Sequence, residues 1–151
     1  MPTPAEPITQ QLIAAVTAAI GGMTAGATYW YTPGEILTDS IHYSDAKVWP
    51  SYAVLGGNEA PDAPDDNEDV HEAFAVTVKG WVSDHADRLK VLRRCVADLK
   101  KLLAANMTWG GLAVRTSSPA VRVTDPSALE KPFGYFELTF TIYYDRRRTA
   151  A

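Results

Sequence analysis

Two segments of the chain alternate apolar and polar residues with a period of two, and this pattern constrains the fold most. Residues 72–82 and 135–144 each keep it for at least ten positions. Successive side chains of a strand point to opposite faces, so the pattern predicts two long strands with one buried face each. The inward positions predicted for the first strand are Phe74, Val76, Val78 and Val82. Those of the second are Phe136, Leu138, Phe140, Ile142 and Tyr144.

Two other segments have helical periodicity. Residues 8–20 carry an apolar residue at every fourth position, and Gly21-Gly22 favours a left-handed stop. Residues 85–105 form a longer predicted helix, capped by Ser83 or Asp84 and stopped at Asn106. The first predicted stripe is Ile8, Leu12, Val16 and Ile20. The second is Leu89, Leu92, Val96, Leu99 and Leu103.

The remaining segments predict short strands and loops. Candidate strands are residues 28–31, 36–43, 48–55, 112–116 and 121–124, of which 36–43 is ambiguous. Pro50 has no N–H to donate to a sheet, so it predicts a strand start or an edge. Residues 56–69 are rich in Gly, Pro, Asn and Asp and have no periodicity, which predicts a loop.

This order of elements is not a regular βαβ alternation. We therefore expect an α+β fold with a mainly antiparallel or mixed β-sheet and two α-helices packed on one face. The chain of 151 residues is the size of one domain, so residues 1–151 are predicted to form a single domain. It carries an acidic loop at 56–71 and a short basic C-terminal tail at 145–151.

Composition and charge exclude several classes of protein. The net charge of −4 argues weakly against a DNA reader, which normally carries a basic surplus. The one cysteine, Cys95, allows no internal disulfide and suits a reducing cytoplasm. The N-terminal MPTPAEP lacks the features of a signal peptide, and no apolar stretch approaches the length of a membrane span.

Catalytic and metal-binding motifs are absent from the sequence. It has neither the G-x-S-x-G nucleophile elbow nor a phosphate loop. His42, His71 and His85 have no metal-site spacing, and Cys95 is expected to be a small buried or helix-face residue. The acidic loop lacks the glycine of a calcium loop. We therefore expect no enzyme activity, cofactor or metal, although a site built from distant residues is invisible in sequence.

Three features favour a binding partner. Each also has a plainer interpretation: the acidic segment as a solvated loop, the uncharged helix face as a tightly packed helix, and the aromatic residues as ordinary residues of a sheet. Residues 59–72 carry seven carboxylates and no Lys or Arg, whereas the second helix is basic. The outer face of the first helix is Ala-rich and nearly uncharged, and Tyr and Trp cluster near both ends, as they do at interfaces. The candidate acidic contacts are Asp62, Asp65, Asp66, Glu68 and Asp69. The basic ones are Arg88, Lys90, Arg93, Arg94 and Lys101, with Arg146, Arg147 and Arg148 in the tail.

The layout resembles the tail terminator (tail completion) proteins of long-tailed bacteriophages. An opening helix, ITQQLIAAVTAAIGG, is followed by a strand beginning near proline, VWPSYAVLGG. A long strand then runs into a long helix, FAVTVKGWVSDHADRLKVLRRCVADLKKLL. A glycine turn, WGGLAV, and a final amphipathic strand, FGYFELTFTIYYDR, complete it. The acidic insertion after Gly56 departs from the family pattern.

The resemblance implies a structural virion protein assembled in the host cytoplasm. Such proteins form homohexameric rings that cap the head-proximal end of the tail tube, stop its growth and join the head. Partners would be the tail tube protein and a head-completion or connector protein, with DNA passing through the channel without sequence-specific binding. Alternatives are another neck protein (a connector, head-completion or minor tail protein) or a cytoplasmic small-molecule-binding domain.

Overall fold

A six-stranded mixed sheet with two helices forms the fold of this computed structural model. The structure describes residues 4–37, 50–61, 71–83, 87–123 and 133–145. The helices are α1 (Ile8–Gly21) and α2 (Arg88–Ala105). The strands are β1 (Glu35–Leu37), β2 (Ser51–Pro61), β3 (His71–Ser83), β4 (Arg115–Thr116), β5 (Ala120–Val123) and β6 (Phe133–Asp145). The sheet order is β1-β2-β3-β6-β4, and β5 also pairs with β6. Among the strand pairs of the described residues, β1–β2 is parallel and the others are antiparallel, so the predicted fold class is confirmed.

The central pair of strands is β3 and β6, the two segments with clean alternation. They run antiparallel over thirteen residues each, with Val78 opposite Leu138 and Val76 opposite Phe140. All the predicted inward side chains on both strands are buried. Trp81, which the alternation places on the other face of the sheet, is also buried, with its ring 5.6 Å from that of Tyr135 on the neighbouring strand.

Both helices cover the same face of the sheet. The predicted stripe of α1 is buried in the core. A Cβ built on Gly56 in β2 would lie 3.5 Å from the Ile13 side chain of α1 and 2.8 Å from the Phe74 ring, so these groups share one face. On α2, Leu92 packs against Gly134 at the start of β6. The core therefore lies between one face of the sheet and two helices.

The predicted core stripe of α2 was partly wrong. Leu92, Val96, Leu99 and Leu103 are buried as expected, but Leu89 in the first turn is 41% exposed. The helix begins at Arg88, so Leu89 lies at its very start, on the flank rather than over the sheet. Asp87 occupies the N-cap position without a side-chain capping bond, in place of Ser83 or Asp84, and Ser83 is the last residue of β3.

The predicted left-handed helix stops were also wrong. Gly22 at the end of α1 has a φ of −85°, and Asn106 at the end of α2 has a φ of −128°. Asn106 instead donates its side-chain amide to the carbonyl of Leu102 at 2.8 Å, which caps the helix by a hydrogen bond. Left-handed backbone occurs in the Trp109–Gly111 turn, where Trp109, Gly110 and Gly111 have φ values of 49°, 68° and 89°.

The predicted acidic loop is shorter than residues 56–71. Residues 56–61 continue β2, and His71 already belongs to β3, because the two strands form a long antiparallel ladder. The register shifts between Gly56 and Glu59, which accommodates the glycines within the strand. Residues 62–70 of the predicted loop lie outside the described residues.

The short predicted strands differ in extent. Residues 28–31 form a turn with one isolated bridge, Ala25 to Tyr29, because their amides bond to a side chain of α2 instead of a neighbouring strand. Pro50 immediately precedes β2, as predicted. Residues 36 and 37 of the ambiguous segment belong to β1, and its residues 38–43 lie outside the described residues. The candidate at 112–116 shortens to β4, and the candidate at 121–124 corresponds to β5, with residue 124 outside the described residues. In the part of the chain described, no helix is long and apolar enough to cross a membrane.

Candidate assembly surfaces

A buried carboxylate on α2 holds the turn formed by residues 28–31. Asp98 has no exposed surface, and its two oxygens accept the backbone N–H groups of Trp30 at 2.9 Å and Tyr31 at 3.1 Å. Amide donors of this kind satisfy a buried charge that would otherwise be costly. This carboxylate therefore anchors a segment 68 residues away in sequence.

Two basic residues of α2, Arg94 and Lys101, also contact this turn. The guanidinium carbon of Arg94 lies 4.0 Å from the centre of the Trp30 ring, a cation–π contact. Lys101 donates its ammonium group to the carbonyl of Thr28 at 2.9 Å. Arg94 and Lys101, both predicted to contact a neighbouring subunit, thus contact the turn of their own chain.

The free basic surface of α2 is smaller than the sequence suggested. Lys90, Arg93 and Lys100 are exposed, and we call these three the basic face. Arg88 is the first residue of α2, and its side chain is not described. Asp62, Asp65, Asp66, Glu68 and Asp69, and the tail residues Arg146, Arg147 and Arg148, lie outside the described residues. Lys90 and Arg93 are therefore the open part of the predicted charged interface, Lys100 lies beside them, and the predicted Lys101 is exposed but bonded to Thr28.

An open groove of about 930 Å³ lies between α1 and the middle of β2. We call it the α1 groove. Its apolar lining comes from Ile13, Val54, Leu55 and Phe74, and its helix side from small or uncharged residues between Thr9 and Ala18. Glu59 is the one charged residue among the described residues that line it, and its carboxylate accepts the hydroxyl of Tyr144 at 2.5 Å. The uncharged outer face predicted for α1 is therefore one wall of a groove.

On the other side of the central pair β3 and β6, both β4 and β5 pair with β6, and β5 is the longer of these two outer strands. All four residues of β5 are exposed, and β6 is its one strand partner among the described residues. Val121 and Val123 are 36% and 45% exposed, although they stand opposite the buried residues Leu138 and Phe136. They therefore lie on the helix-bearing side of the sheet and remain accessible there. An edge strand with accessible valines is a surface on which another chain can pair.

The other face of the sheet carries a ladder of polar pairs. Lys79 and Glu137 stand opposite each other with a nitrogen–oxygen distance of 3.8 Å. Tyr135 donates its hydroxyl to the same carboxylate of Glu137, and partial burial followed by this bond raises the pKa of Tyr135 above its usual range. Thr77 and Thr139 contact each other at 3.3 Å. Paired side chains of this kind stabilise the sheet.

Cys95 lies in the core beside the hydroxyl of Tyr52. Both residues are fully buried, so of the two roles expected for the cysteine the structure shows the buried one. Burial raises the pKa of the Cys95 thiol to about 12. The pKa of Tyr52 is also raised, first by burial and then by Cys95 and Asp98, and its hydroxyl has no hydrogen-bond partner of ordinary geometry among the described residues. A protonated, enclosed thiol is a poor nucleophile at neutral pH.

Metal-binding groups are not assembled in the described part of the chain. No group of three or more His, Cys, Asp or Glu side chains lies close enough there to hold an ion. His42 and His85 lie outside the described residues, and His71 enters only as the first residue of β3.

Two features of these surfaces were missed in the sequence, and one of them left a signal. Asp98 falls in phase with Val91, Cys95 and Leu102, so an acidic residue interrupts an otherwise apolar helix stripe. A charge at such a position indicates a buried partner. The exposure of β5 left no signal in the sequence, because its apolar and polar residues alternate in the same way whether or not a helix covers the strand.

No protein-family model matches the chain. No curated protein matches it. Among solved structures, it is similar to a chain of the virion of a native gene transfer agent particle, with 14% identity, a TM-score of 0.35 and 92% of each chain covered. What the chain does is therefore inferred from its own surfaces.

Proposed function

We propose that the chain is a structural subunit of a phage-like virion, and that it acts there as a tail terminator. In this role it forms a homohexameric ring on the head-proximal end of the tail tube, stops tube growth and provides the surface that joins the head. The observation that carries the proposal is that one domain presents two unlike open surfaces, a groove beside β2 and an exposed strand at β5. Unlike surfaces favour head-to-tail contacts between copies, which close into a ring when the rotation allows.

The order of the elements supports the same proposal. The elements follow the tail terminator layout. The chain opens with a helix, continues with a long hairpin that runs into a second helix, and ends with a glycine turn and a long final strand. Side chains of the central strands pair with one another on one face and fill the core on the other. The fold therefore favours assembly over chemistry.

Charge supports a contact between neighbouring copies. The basic face of α2 is exposed, and five carboxylates without a compensating base occur between Pro61 and His71 in sequence. Opposite charges on adjacent subunits steer association and fix the register of the contact. The basic face of one copy would meet this acidic segment of the next.

The net charge of −4 suits a ring through which DNA slides. A channel with a basic surplus would bind phosphates and retain the duplex, whereas a neutral or acidic one would release it. The ring's other contacts would be the tail tube protein below and a head-completion or connector protein above, in a virion assembled in the host cytoplasm.

The test is the mass of the native particle together with its position on tail tubes. Native mass spectrometry is expected to give six copies of the 16.4 kDa chain, and electron microscopy to show a ring at one end of purified tubes. A chain that remains monomeric and fails to bind tubes would contradict the proposal. Binding to heads but not to tubes would contradict the terminator role and indicate another neck position.

A further inference from the structure

We infer that the acidic segment between β2 and β3 of one copy binds a pocket beside Trp30 on the next copy. The segment comprises residues 62–70, and the two strands that it joins end at Pro61 and begin at His71. This inference rests on the proposed ring, and it names the pocket and the aromatic residue through which one copy holds the next.

The receiving pocket lies where the end of β3 meets the start of α2, and its volume is about 350 Å³. Ser83 lines it from β3, Lys90 and Arg94 line it from α2, and Tyr31 lines it from the turn that Asp98 anchors. We call it the Lys90 pocket.

Among the described residues that line the pocket, two are cationic and one is anionic. Lys90 and Arg94 are four residues apart on α2, so their side chains project on the same side of the helix. The acidic residue is Asp87, at the N-cap position of α2. Arg94 is stacked on Trp30, whereas Lys90 is exposed, so the Lys90 ammonium group is the cation placed to meet a carboxylate. The pocket therefore favours an acidic ligand.

Trp30 stands at the margin of the pocket as a fixed, exposed aromatic residue. It is 52% exposed, its ring is stacked on Arg94, and its backbone N–H is bonded to the buried Asp98. Trp, Tyr and Arg are the residues that most often carry the energy of protein interfaces. Because the backbone and the ring are already held, little conformational freedom is lost when a partner covers them.

The acidic segment has the matching chemistry. Pro61-Asp62-Ala63-Pro64 has the P-x-x-P spacing of segments that dock on aromatic-lined surfaces. Carboxylates follow it as far as Asp69 without any Lys or Arg, and they would meet the Lys90 ammonium group. The three arginines of the tail at 146–148 would offset at most three of the five carboxylates between Pro61 and His71.

The segment is too short to reach the pocket of its own chain. In the β2–β3 ladder Pro61 pairs with Glu72 at one end, and Ser51 pairs with Trp81 at the other. The pocket lies at the Trp81 end, since Ser83 lines it, and the nine steps from Glu72 to Trp81 separate the two ends by about 30 Å at 3.3 Å per residue. A segment of nine residues held at both ends extends at most about 18 Å. The segment and the pocket therefore meet between copies, in a head-to-tail contact that closes into a ring.

Engineered cysteines test this contact directly, and the native thiol does not interfere. Cys95 is buried with a raised pKa, so maleimides are not expected to modify it in the folded protein. Ser83→Cys places a thiol in the pocket and Asn67→Cys places one in the acidic segment, and neither change removes a charge. The single variants are produced separately and by co-expression, then treated with a short bis-maleimide. We expect a covalent dimer only in the co-expressed sample.

The result separates this inference from the proposed function. A native particle of several copies without a cross-link in the co-expressed sample would overturn the contact and leave the ring standing. A covalent dimer from either single variant would also overturn it, because like surfaces would then meet. A strictly monomeric chain would overturn both.

A charge exchange tests the pocket without new cysteines. Lys90→Glu is expected to lower the fraction of assembled particle at least tenfold at low salt, with an unchanged circular dichroism spectrum. Adding Asp65→Lys and Asp66→Lys is expected to restore assembly, because the signs are then exchanged across the contact. Lys100→Glu is the matched control, since Lys100 is exposed on α2 but does not line the pocket. Equal restoration in both backgrounds, or none in Lys90→Glu, would overturn the inference.

The aromatic residue has its own pair of variants. Trp30→Ala is expected to lower the assembled fraction at least tenfold, and Met107→Ala less than twofold. Both residues are large and exposed, but Met107 follows the far end of α2. Equal assembly of the two variants would overturn the docking at Trp30.

Discussion

The carboxylate of Asp98 accepts the backbone N–H of Trp30 at 2.9 Å, and it does so from a side chain with no exposed surface. The second oxygen accepts the N–H of Tyr31. The carboxylate of Asp98 thus supplies the hydrogen-bond acceptors that the backbone N–H groups of residues 30 and 31 would otherwise find on a neighbouring strand. The path of the chain between α1 and β1 depends on this pair of bonds.

Replacing Asp98 by Asn should lower the free energy of unfolding by about 2 kcal/mol, the worth of a hydrogen bond to a charged group. The amide keeps one acceptor oxygen but turns an N–H₂ group toward a backbone donor, so one of the two bonds is lost. The measurement is urea unfolding followed by circular dichroism. Lys100→Ala, an exposed change on the same helix, is the control, and equal stability of the two variants would refute a structural role for the carboxylate.

Reversing the basic face should weaken assembly without harming the fold. In an Arg93→Glu/Lys100→Glu variant, two exposed charges change sign, so the loss of native particle should be largest at low salt, where screening is least. Sedimentation velocity at two salt concentrations measures it. Assembly that is unchanged at both would argue against a charge contact through this face.

Arg94→Glu should behave differently from that variant. Its guanidinium stacks on Trp30 within the same chain, so the reversal should cost about 1 kcal/mol of folding stability through the lost cation–π contact. Thermal unfolding and the quenching of tryptophan fluorescence report on this contact. An Arg94→Glu protein with unchanged stability and fluorescence would contradict it.

Alkaline pH should destabilise the wild-type protein more than a Cys95→Ala variant. The thiol ionises near pH 9 when unfolded but only near pH 12 when folded, because burial disfavours the thiolate. Stability is therefore complete below about pH 9, and between the two values it falls by about 1.4 kcal/mol per pH unit for this one proton. Urea midpoints at about pH 8 and about pH 10.5 measure the difference, and Tyr52 is present in both proteins. Parallel losses in the two proteins would contradict a buried, protonated thiol.

Gly80→Ala should destabilise the sheet by roughly 1–3 kcal/mol. A Cβ at this position would lie 2.1 Å from the Phe136 ring on the facing strand, so the ring must move. Phe136→Leu in the same protein should recover part of the loss. Gly26→Ala is the control, since its Cβ would meet no atom within 4 Å. Unfolding midpoints of the four proteins decide whether the clash is real.

Sequence periodicity predicted the parts of the fold in which one face is buried along its whole length. This holds for α1, β3 and β6, whose apolar positions follow the period of each element, with Gly80 between Val78 and Val82 on the inward face of β3. It failed where burial depends on a distant element. Leu89 is apolar but lies on the flank of α2, and Asp98 is charged but buried because the turn at Trp30 supplies its donors.

The candidate surfaces were less predictable than the core. Charge pattern alone could not separate Arg93, which is exposed, from Arg94, which is stacked on an aromatic ring of its own chain. The groove beside α1 was visible only as an uncharged helix face, because its floor comes from β2 and β3. The glycines, asparagine and proline of residues 56–61 also concealed a strand, whose partners lie in β3.

The pairing of β6 with three other strands has a consequence for biosynthesis. Its partners β3, β4 and β5 all leave the ribosome earlier, and β3 is then without a neighbour on one side. Until residues 133–145 emerge, the nascent chain exposes the apolar face and free edge of its longest hairpin. Such an intermediate invites pairing between chains on the same polysome, so chaperone capture during translation would protect the yield of assembled subunits.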